Sequence, residues 1–204
     1  MLEYIQVREV GLRDGLQLIK TRLNTATKKE WLRKQINAGF KEIEISSIVP
    51  KKTFPQFADA TEMINFSNEF PNILSTVLIP NIRGAELAFQ AKAKKVIFVI
   101  SASEAHNLAN VKMSIKQSLA ELQTIIARRA CDDNTKNIKI IGSISTSFGC
   151  SISGKVPENK VLKIVDRMLG IGVDEISIAD TVGHANPRYV STLFKKVVQL
   201  SETV

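Results

Sequence analysis

Six short apolar runs, rich in β-branched residues, recur along the chain and constrain its fold more than any other feature. The runs cover residues 5–10, 43–48, 73–79, 96–100, 138–144 and 175–179. They are nearly continuous rather than strictly alternating, which is typical of strands covered on both faces of a parallel sheet. Helical patterns lie between them. The sequence therefore predicts an α/β fold of about six β/α units.

Capping residues and glycines separate the predicted helices from the strands. Residues 27–30 (Thr-Lys-Lys-Glu) have a capping-box pattern, which predicts the start of a helix, and Gly39 ends that helix. Asn186-Pro187 opens the last helix with an N-cap residue and a proline at the first helical position. Segments 39–46 and 172–179 share the order glycine, acidic residue and Ile-x-Ile. Such a weak repeat is typical of β/α units, whose right-handed crossovers make the strands parallel.

Two architectures accept six β/α units, namely an open doubly wound sheet and part of a (β/α)8 barrel. The doubly wound dinucleotide-binding fold has G-x-G-x-x-G after its first strand, and residues 10–15 lack that spacing. In a barrel, the reacting groups come from the carboxyl ends of the strands. The segments that follow the predicted strands are rich in polar residues. These two observations favour the barrel.

The basic residues exceed the acidic ones but are scattered. There are 28 Lys+Arg against 20 Asp+Glu, which gives a formal net charge of +8. Basic doublets occur at 28–29, 51–52, 94–95, 128–129 and 195–196. Because no interleaved aromatic residues and no arginine-rich tract accompany them, we expect a solvated surface first and a phosphorylated small molecule second. Nucleic acid is not expected as a partner.

The lengths of the apolar runs and the N-terminal pattern indicate a cytoplasmic protein without a membrane partner. No apolar run approaches the roughly 18 residues of a membrane helix, and the N-terminal residues have no signal-peptide or transit-peptide pattern. Cys131 and Cys150 lack metal-knuckle spacing, so we expect reduced thiols, with Cys150 structural. His106 and His184 have no partner at metal-ligand spacing, and we interpret them as surface or loop residues.

The tripeptide Arg13-Asp14-Gly15 follows the first predicted strand and is the sharpest chemical feature. A carboxylate beside a fixed cation can hold a hard divalent metal while the guanidinium stabilises an anionic oxygen. An ion-paired turn, in which the glycine supplies a positive φ, explains the same residues equally well. The tripeptide alone leaves both interpretations open.

Two further carboxylates lie in or directly after predicted strands. Glu44 lies in a run of isoleucines, where an unpaired buried carboxylate is costly. We therefore expect it to line a metal site or to form a salt bridge with Arg8 or Arg13. Asp180 ends another such run, at the mouth of the predicted barrel, and an Asx-turn or a helix cap is the alternative role.

Five ordered blocks resemble the 3-hydroxy-3-methylglutaryl-CoA lyase family of metal-dependent (β/α)8 lyases. The first is V-R-E-V-G-L-R-D-G-L-Q at 7–17, and the others lie at 43–59, 101–107, 149–156 and 175–183. The resemblance extends from residue 4 to about 190 and implies a (β/α)8 TIM-barrel-type fold. At about 34 residues per unit, the 204 residues hold about six of the eight units of a ~250-residue barrel. We expect one incomplete barrel domain over residues 1–204.

The resemblance implies retro-Claisen cleavage of 3-hydroxy-3-methylglutaryl-CoA to acetyl-CoA and acetoacetate, assisted by Mg2+ or Mn2+, in leucine degradation. It implies that Arg13 and Asp180 are catalytic, the former at the enolate and the latter at the hydroxyl proton. Asp14 would be a metal ligand. The implied substrate-binding residues are Arg13, Gln17, Glu44 and Ser103. The CoA thioester would interact with part of the basic surplus, because CoA carries several phosphate charges.

The family also has metal ligands in a His-x-His pair and an Asn after its last two strands, and a Cys-containing loop, for which this sequence has no match. We therefore expect a truncated chain with impaired lyase activity, and a homo-oligomer, because an open barrel edge favours association. Two alternatives stay open: a non-catalytic CoA-binding or interaction remnant of the fold, and a related metal-dependent aldolase. The blocks at 50–59 and 101–107 favour the thioester lyase over the aldolase.

Overall fold

The computed structural model describes residues 5–202, in which strands and helices alternate. The described strands are β1 (Arg8–Glu9), β2 (Glu42–Ser47), β3 (Leu74–Ile79), β4 (Lys95–Ser101), β5 (Lys139–Ser145) and β6 (Glu175–Ile178). The described helices are α1 (Thr25–Asn37), α2 (Ala60–Ser67), α3 (Ile82–Gln90), α4 (Glu104–Val111), α5 (Ile115–Cys131), α6 (Glu158–Ile171) and α7 (Pro187–Ser201). The six predicted strands are confirmed.

The first strand is much shorter than its apolar run predicts. It pairs with β2 at two positions only, Arg8 with Glu42 and Glu9 with Ile43. Ile5 and Val7 are 82% and 65% exposed, so this part of the run buries little surface. The prediction of a strand over 5–10 is therefore wrong in extent, because a strand that is not covered on its faces gains little from apolar side chains.

The chain forms two compact units. One comprises Met1–Ile97 with Asp132–Ile138, and the other comprises Phe98–Cys131 with Lys139–Val204. The division falls within β4. The prediction of one domain over 1–204 stays a prediction.

In the first unit, parallel strands β1, β2 and β3 pair in chain order. Every residue of β2 is buried, and its apolar side chains Ile43 and Ile45 are at most 1% exposed. A register shift interrupts the pairing of β2 with β3 between Glu44 and Ser46. Helices α1 to α3 belong to this unit, and their buried faces complete its core.

In the second unit, β5 and β6 are parallel, with Ile141 opposite Glu175 and Ile144 opposite Ile178. All residues of β5 after Lys139 are buried. The inner faces of α6 and α7 contribute Val161, Val165, Met168 and Leu193, which are fully buried. Among residues 5–202, no helix is both long and apolar enough to cross a membrane.

Of the two predicted helix N-caps, that of α7 is confirmed and that of α1 is wrong. Helix α1 begins at Thr25, because the side chain of Asn24 accepts a hydrogen bond from the backbone N–H of Thr27 at 2.8 Å. The capping box at 27–30 is therefore wrong, since an earlier residue of a good capping type already satisfies the free N–H groups. The predicted cap of α7 is confirmed, with Asn186 accepting from the N–H of Tyr189 at 2.9 Å.

The expectation of a solvated surface is wrong for part of the basic doublets. Lys28 is 3% exposed and its ammonium lies 2.8 Å from Asp59 Oδ1. Lys95 is 1% exposed and its ammonium lies 3.0 Å from Glu42 Oε1. The long aliphatic stems of these lysines pack in the core while the ammonium groups meet carboxylates, which compensates part of the cost of burying charge.

The Lys28–Asp59 pair allows a direct stability test. Replacement of Lys28 by Met keeps the apolar stem but leaves Asp59 with Thr25, at 2.8 Å, as its only side-chain hydrogen-bond donor among the described residues. Removing one partner of a buried pair typically costs about 3–5 kcal/mol. We expect Lys28→Met to lower the free energy of unfolding in urea by about 3 kcal/mol.

Lys34→Met is the matched control for this test. Lys34 pairs with Glu30 one helical turn away, but the two side chains are 73% and 63% exposed. Such a surface pair contributes at most about 0.5 kcal/mol. Equal losses for the two variants would contradict the structural role assigned to Lys28.

Candidate active site

A single turn after β1 positions the Arg13-Asp14-Gly15 tripeptide. Residues Gly11–Gly15 form a π-helical turn, anchored by Leu12, which is 1% exposed. The carboxylate of Glu9 accepts a hydrogen bond from the N–H of Gly11, with both oxygens at 3.0 Å. A Cβ atom at Gly11 would lie 2.9 Å from Glu9 Oε1 and 3.1 Å from the Trp31 ring. A larger residue where the turn begins would therefore require the Glu9 carboxylate and the Trp31 ring to shift.

Arg13 and Glu44 form the central ion pair of this region. The Nε of Arg13 donates to Glu44 Oε1 at 2.6 Å and its Nη2 donates to Oε2 at 3.2 Å. The Glu44 side chain is 2% exposed and that of Arg13 is 17% exposed. The salt bridge with Arg13 that the sequence left open is thus present. Burial raises the pKa of Glu44, and the hydrogen bond and charge of Arg13 offset this rise only in part.

Arg13 retains donors for a ligand. Its Nη1 also donates to Asp14 Oδ1 at 2.9 Å, so three of the five guanidinium N–H groups are occupied. The other two have no hydrogen-bond partner among residues 5–202. A guanidinium fixed on one side and open on the other can bind an anionic oxygen through paired N–H groups.

Asp14 is the candidate metal ligand, and its side chain is 52% exposed. One of its oxygens contacts Arg13, which leaves the other available. However, residues 5–202 contain no group of three or more His, Cys, Asp or Glu side chains that could hold a metal ion. The described part of the chain supplies one carboxylate and does not complete a metal centre.

In the second unit, hydroxyl groups at the ends of β4 and β5 form a hydrogen-bonded chain with a histidine. Ser101 Oγ lies 2.8 Å from Ser145 Oγ and 2.7 Å from His106 Nδ1. Both serines are buried. Sequence analysis missed this role of His106, because the third member of the hydrogen-bonded chain, Ser145, comes from another strand and bonds to Ser101. The signal available was the polar cluster directly after the fourth strand.

Ser103 is a buried helix cap. Its hydroxyl accepts from the N–H of His106 at 3.3 Å and lies 2.9 Å from Ser153 Oγ. Its own N–H donates to Thr146 Oγ1 at 3.1 Å. Thr146 is buried at a left-handed φ of 56°, which is rare for a residue other than glycine and recurs at functional sites.

Asp180 organises the loop after β6. Its two carboxylate oxygens accept hydrogen bonds from the N–H of His184 at 3.0 Å and of Ala185 at 2.9 Å. Desolvation raises the pKa of Asp180, but the backbone N–H groups of the 182–185 loop outweigh it, and the pKa is lowered. These hydrogen bonds form a turn of the kind that the sequence analysis gave as the alternative role of Asp180.

Cys150 is a buried thiol within a tight turn. Its Sγ accepts hydrogen bonds from the N–H groups of Ile152 at 3.3 Å and Ser153 at 3.4 Å. Desolvation raises the pKa of Cys150, but hydrogen bonds from Ser103, Ser153 and the turn N–H groups lower it to about 7. Sequence analysis missed this shift, because these donors come from the fold rather than from a neighbouring base.

Comparison with known proteins decides the family. The family model described as HMGL-like matches residues 4–203. The chain belongs to the HMGL-like family. The chain is 32% identical over 197 residues to the cytoplasmic 3-hydroxy-3-methylglutaryl-CoA lyase of Rattus norvegicus, covering 97% of this chain and 56% of that protein. It is 33% identical to the mitochondrial hydroxymethylglutaryl-CoA lyase of Homo sapiens, covering 96% of this chain and 59% of that protein.

Solved structures of HMGL-like proteins have the same fold. An HMG-CoA lyase from Acinetobacter baumannii, in complex with coenzyme A and 3-methylmalate, has a TM-score of 0.89 and 35% identity, over 96% of this chain and 62% of that one. The HMG-CoA lyase of Brucella melitensis has a TM-score of 0.89 and 29% identity, over 97% of this chain and 69% of that one. The chain spans just over half the length of the rat and human lyases that it matches. The family resemblance and the TIM-barrel-type fold are confirmed.

Within this HMGL-like chain, the structure brings some predicted site residues together. Arg13, Asp14 and Glu44 are in mutual contact through the guanidinium in the first unit. Gln17, three residues after Asp14, is exposed, and its side chain forms no hydrogen bond within residues 5–202. In the second unit, the backbone of Thr146 donates to Thr181 Oγ1 at 2.8 Å, which links Ser103 to the segment after Asp180. The catalytic and binding roles of these residues stay predictions.

The raised pKa of Glu44 predicts an unusual pH dependence of stability. A carboxyl group whose pKa is higher in the folded state stabilises the fold below its ordinary pKa of 4.5, and this contribution is lost as the pH rises through the folded pKa. The free energy of unfolding of the parent chain minus that of Glu44→Gln should therefore decrease as the pH rises above 4.5.

Glu30→Gln provides the control, because an i,i+4 hydrogen bond with Lys34 lowers the pKa of Glu30. Its contribution has the opposite sign and increases as the pH rises toward and past 4.5. Urea titrations at a series of pH values measure both. If the free energies of unfolding of Glu44→Gln and Glu30→Gln, each relative to the parent chain, changed with pH in the same direction, the assigned environment of Glu44 would be contradicted.

Proposed function

We propose that this chain acts as a hydroxymethylglutaryl-CoA lyase-type enzyme that cleaves 3-hydroxy-3-methylglutaryl-CoA to acetyl-CoA and acetoacetate. The observation that carries this proposal is the guanidinium of Arg13, which Glu44 holds through Nε at 2.6 Å while two N–H groups have no partner among residues 5–202. Membership of the HMGL-like family and similarity to lyases of known structure support the choice of reaction.

The reaction is a retro-Claisen cleavage with a simple balance of bonds. The tertiary hydroxyl loses its proton, a carbonyl forms at that carbon, and the bond to the thioester α-carbon breaks. The electron pair moves into the thioester as an enolate, and acetoacetate is released. The enolate then takes a proton at carbon and becomes acetyl-CoA.

Arg13 stabilises the enolate in this proposal. Its two free N–H groups donate to the thioester oxygen, on which negative charge develops only as the bond breaks. Donors fixed in advance toward developing charge lower the barrier more than they strengthen ground-state binding. Glu44 acts as the positioning residue, because it restricts the guanidinium through two hydrogen bonds from a buried strand.

The other predicted residues have supporting roles. Asp180 accepts the hydroxyl proton; its lowered pKa leaves the carboxylate ionised at neutral pH and also makes it a weaker base. Gln17 and Ser103 bind substrate together with Arg13 and Glu44. These assignments follow the family resemblance, and the loop hydrogen bonds of Asp180 support it by fixing the carboxylate in place.

We further propose that Asp14 contributes one ligand to Mg2+ or Mn2+. When bound, such an ion polarises hydroxyl and carbonyl oxygens and so assists the cleavage. The steps above are derived from the residues of this chain alone, because residues 5–202 do not complete a metal centre. For the same reason we expect slow turnover by this chain.

The proposed cellular location, pathway and oligomeric state follow from the same resemblance. We propose a cytoplasmic location, which the cytoplasmic relative in Rattus norvegicus supports, and a part in leucine degradation. We also propose a homo-oligomer. Phe194 and Val198, which are 44% and 51% exposed one turn apart on α7, provide an apolar surface that supports association.

The proposal is tested by acetoacetate release from 3-hydroxy-3-methylglutaryl-CoA with added Mn2+ or Mg2+. We expect slow release above the rate without protein, stimulated by the metal. Arg13→Met should lower the rate by a factor of about 100 or more, since one preorganised oxyanion donor contributes about 10²–10³. Arg22→Met, at an exposed arginine outside the candidate site, should leave the rate unchanged. Absence of release above background would exclude the proposed reaction for this chain.

A further inference from the structure

One step of the proposed reaction has no residue assigned to it, namely the delivery of a proton to the carbon of the enolate. Arg13 stabilises the negative charge, but a guanidinium stays protonated in proteins and is not a proton donor. Asp180 is assigned to the hydroxyl group, which lies on the other carbon of the bond that breaks. The proton at carbon therefore has to come from another group.

The second unit contains a hydrogen-bonded series that ends in an imidazole. His106 Nδ1 lies 2.7 Å from Ser101 Oγ, and Ser101 Oγ lies 2.8 Å from Ser145 Oγ. Ser101 is 1% exposed and Ser145 is 9% exposed, whereas His106 is half-buried. The series is thus enclosed in the middle and more open at its two ends.

Every member of this hydroxyl–imidazole series can both donate and accept a hydrogen bond. When Nδ1 of His106 carries a hydrogen, it donates to Ser101, and Ser101 donates to Ser145. When Nδ1 carries none, both bonds point the other way, since a serine hydroxyl rotates to suit its partners. Changing from the first arrangement to the second moves one proton from the imidazole to a group beyond Ser145.

The surrounding hydrogen bonds hold the imidazole against Ser101. Asn107 is fully buried, and its side-chain oxygen accepts from the N–H of Ser101 at 2.9 Å. Its side-chain nitrogen donates to Met113 O at 2.8 Å and to Ser118 Oγ at 2.9 Å. Since His106 directly precedes Asn107 on the first turn of α4, its position relative to the end of β4 is fixed.

The other end of the series lies among the residues proposed to meet the substrate. Ser101 and Ser145 are the last residues of β4 and β5, and the carboxyl ends of barrel strands carry the chemistry in this class of fold. Thr146, directly after Ser145, receives a hydrogen bond at Oγ1 from the N–H of Ser103 at 3.1 Å and donates its own N–H to Thr181 at 2.8 Å. Ser145 is thereby linked to Ser103 and to the residue after Asp180.

We propose that His106, Ser101 and Ser145 form a proton relay that protonates the enolate at carbon. The inference rests on the proposed function, because it supplies the acid for the last step of that reaction. Ser145 is the catalytic residue of this step, since it alone meets the substrate, and Ser101 and His106 act through it.

The proton transfer balances without any other reagent than water. The electron pair of the enolate forms a bond to the proton of the Ser145 hydroxyl. Ser145 takes the proton of Ser101, and Ser101 takes the proton on Nδ1 of the His106 imidazolium. The imidazole is left neutral and regains a proton from water at its half-buried position. Histidine suits this task because it changes its protonation state close to neutral pH.

Two substitutions interrupt the relay at different points. His106→Asn keeps an amide group near the place of Nδ1, so it can still hold the Ser101 hydroxyl, but it cannot pass a proton on. Ser101→Ala removes the middle of the relay. Ser67→Ala is the matched control, because Ser67 is also 1% exposed and its Oγ lies 2.9 Å from that of Ser75 in the first unit. Thermal unfolding should show similar losses of stability for the two alanine variants.

Exchange of the methyl hydrogens of acetyl-CoA with solvent deuterium, followed by NMR, measures proton transfer at the enolate carbon. We expect His106→Asn and Ser101→Ala to lower the maximal exchange rate by a factor of about 100 or more, since a positioned general acid contributes about 10²–10⁴. The acetyl-CoA concentration at half-maximal rate should not change. Ser67→Ala should exchange at the parent rate.

Rescue by a small heterocycle separates proton transfer from a structural role. His106→Ala leaves a space that free imidazole can enter, and added imidazole should restore exchange. Pyrazole has the same shape but is too weak a base to carry the proton, and it should not restore exchange. Equal effects of the two heterocycles, parent-like exchange in His106→Asn and Ser101→Ala, or no exchange by the parent chain would each overturn the relay.

Acetoacetate release by the same variants distinguishes the relay from the proposed cleavage. Exchange that depends on His106 and Ser101, in a parent chain that releases no acetoacetate, would support the relay and exclude the cleavage. Acetoacetate release and methyl exchange at the parent rate in His106→Asn and Ser101→Ala would support the cleavage and overturn the relay.

Discussion

A carboxylate buried inside an apolar strand is the constraint on which the candidate site depends. Glu44 is 2% exposed in a strand whose every residue is buried, so it needs a charged partner within reach. The π-helical turn after β1 supplies that partner by presenting Arg13, while Leu12 and Leu16 anchor the turn in the core. The ion pair therefore joins β2 to the turn and at the same time fixes the guanidinium that is proposed to meet the substrate.

Features that depend on local sequence were predictable. The six apolar runs gave all six strands, because a strand covered on both faces has a nearly continuous apolar pattern. The cap at Asn186 was also predictable, since Asn followed by Pro is a strong local signal. The cap of α1 was misplaced because Asn24 and Thr27 are both capping types three residues apart, and only the course of the chain before Thr25 decides between them.

Features that depend on distant contacts were not predictable. Sequence reasoning identified Glu44 as needing a cation and left Arg8 and Arg13 as candidates; the geometry of the turn decided for Arg13, which is 31 residues away. The burial of Lys28 and Lys95 could not be seen because their partners, Asp59 and Glu42, are 31 and 53 residues away. The lowered pKa of Cys150 depends in part on Ser103, which comes from another strand end, while the other donors, Ile152 and Ser153, are local.

The central claim is that Arg13, held by Glu44, stabilises the enolate of acetyl-CoA. The most direct measurement is the exchange of the methyl hydrogens of acetyl-CoA with solvent deuterium, followed by NMR, because this exchange passes through the enolate without carbon–carbon cleavage. We predict exchange above the rate without protein in the parent chain, and loss of this exchange in Arg13→Met. Equal exchange by the parent chain and Arg13→Met would contradict the claim.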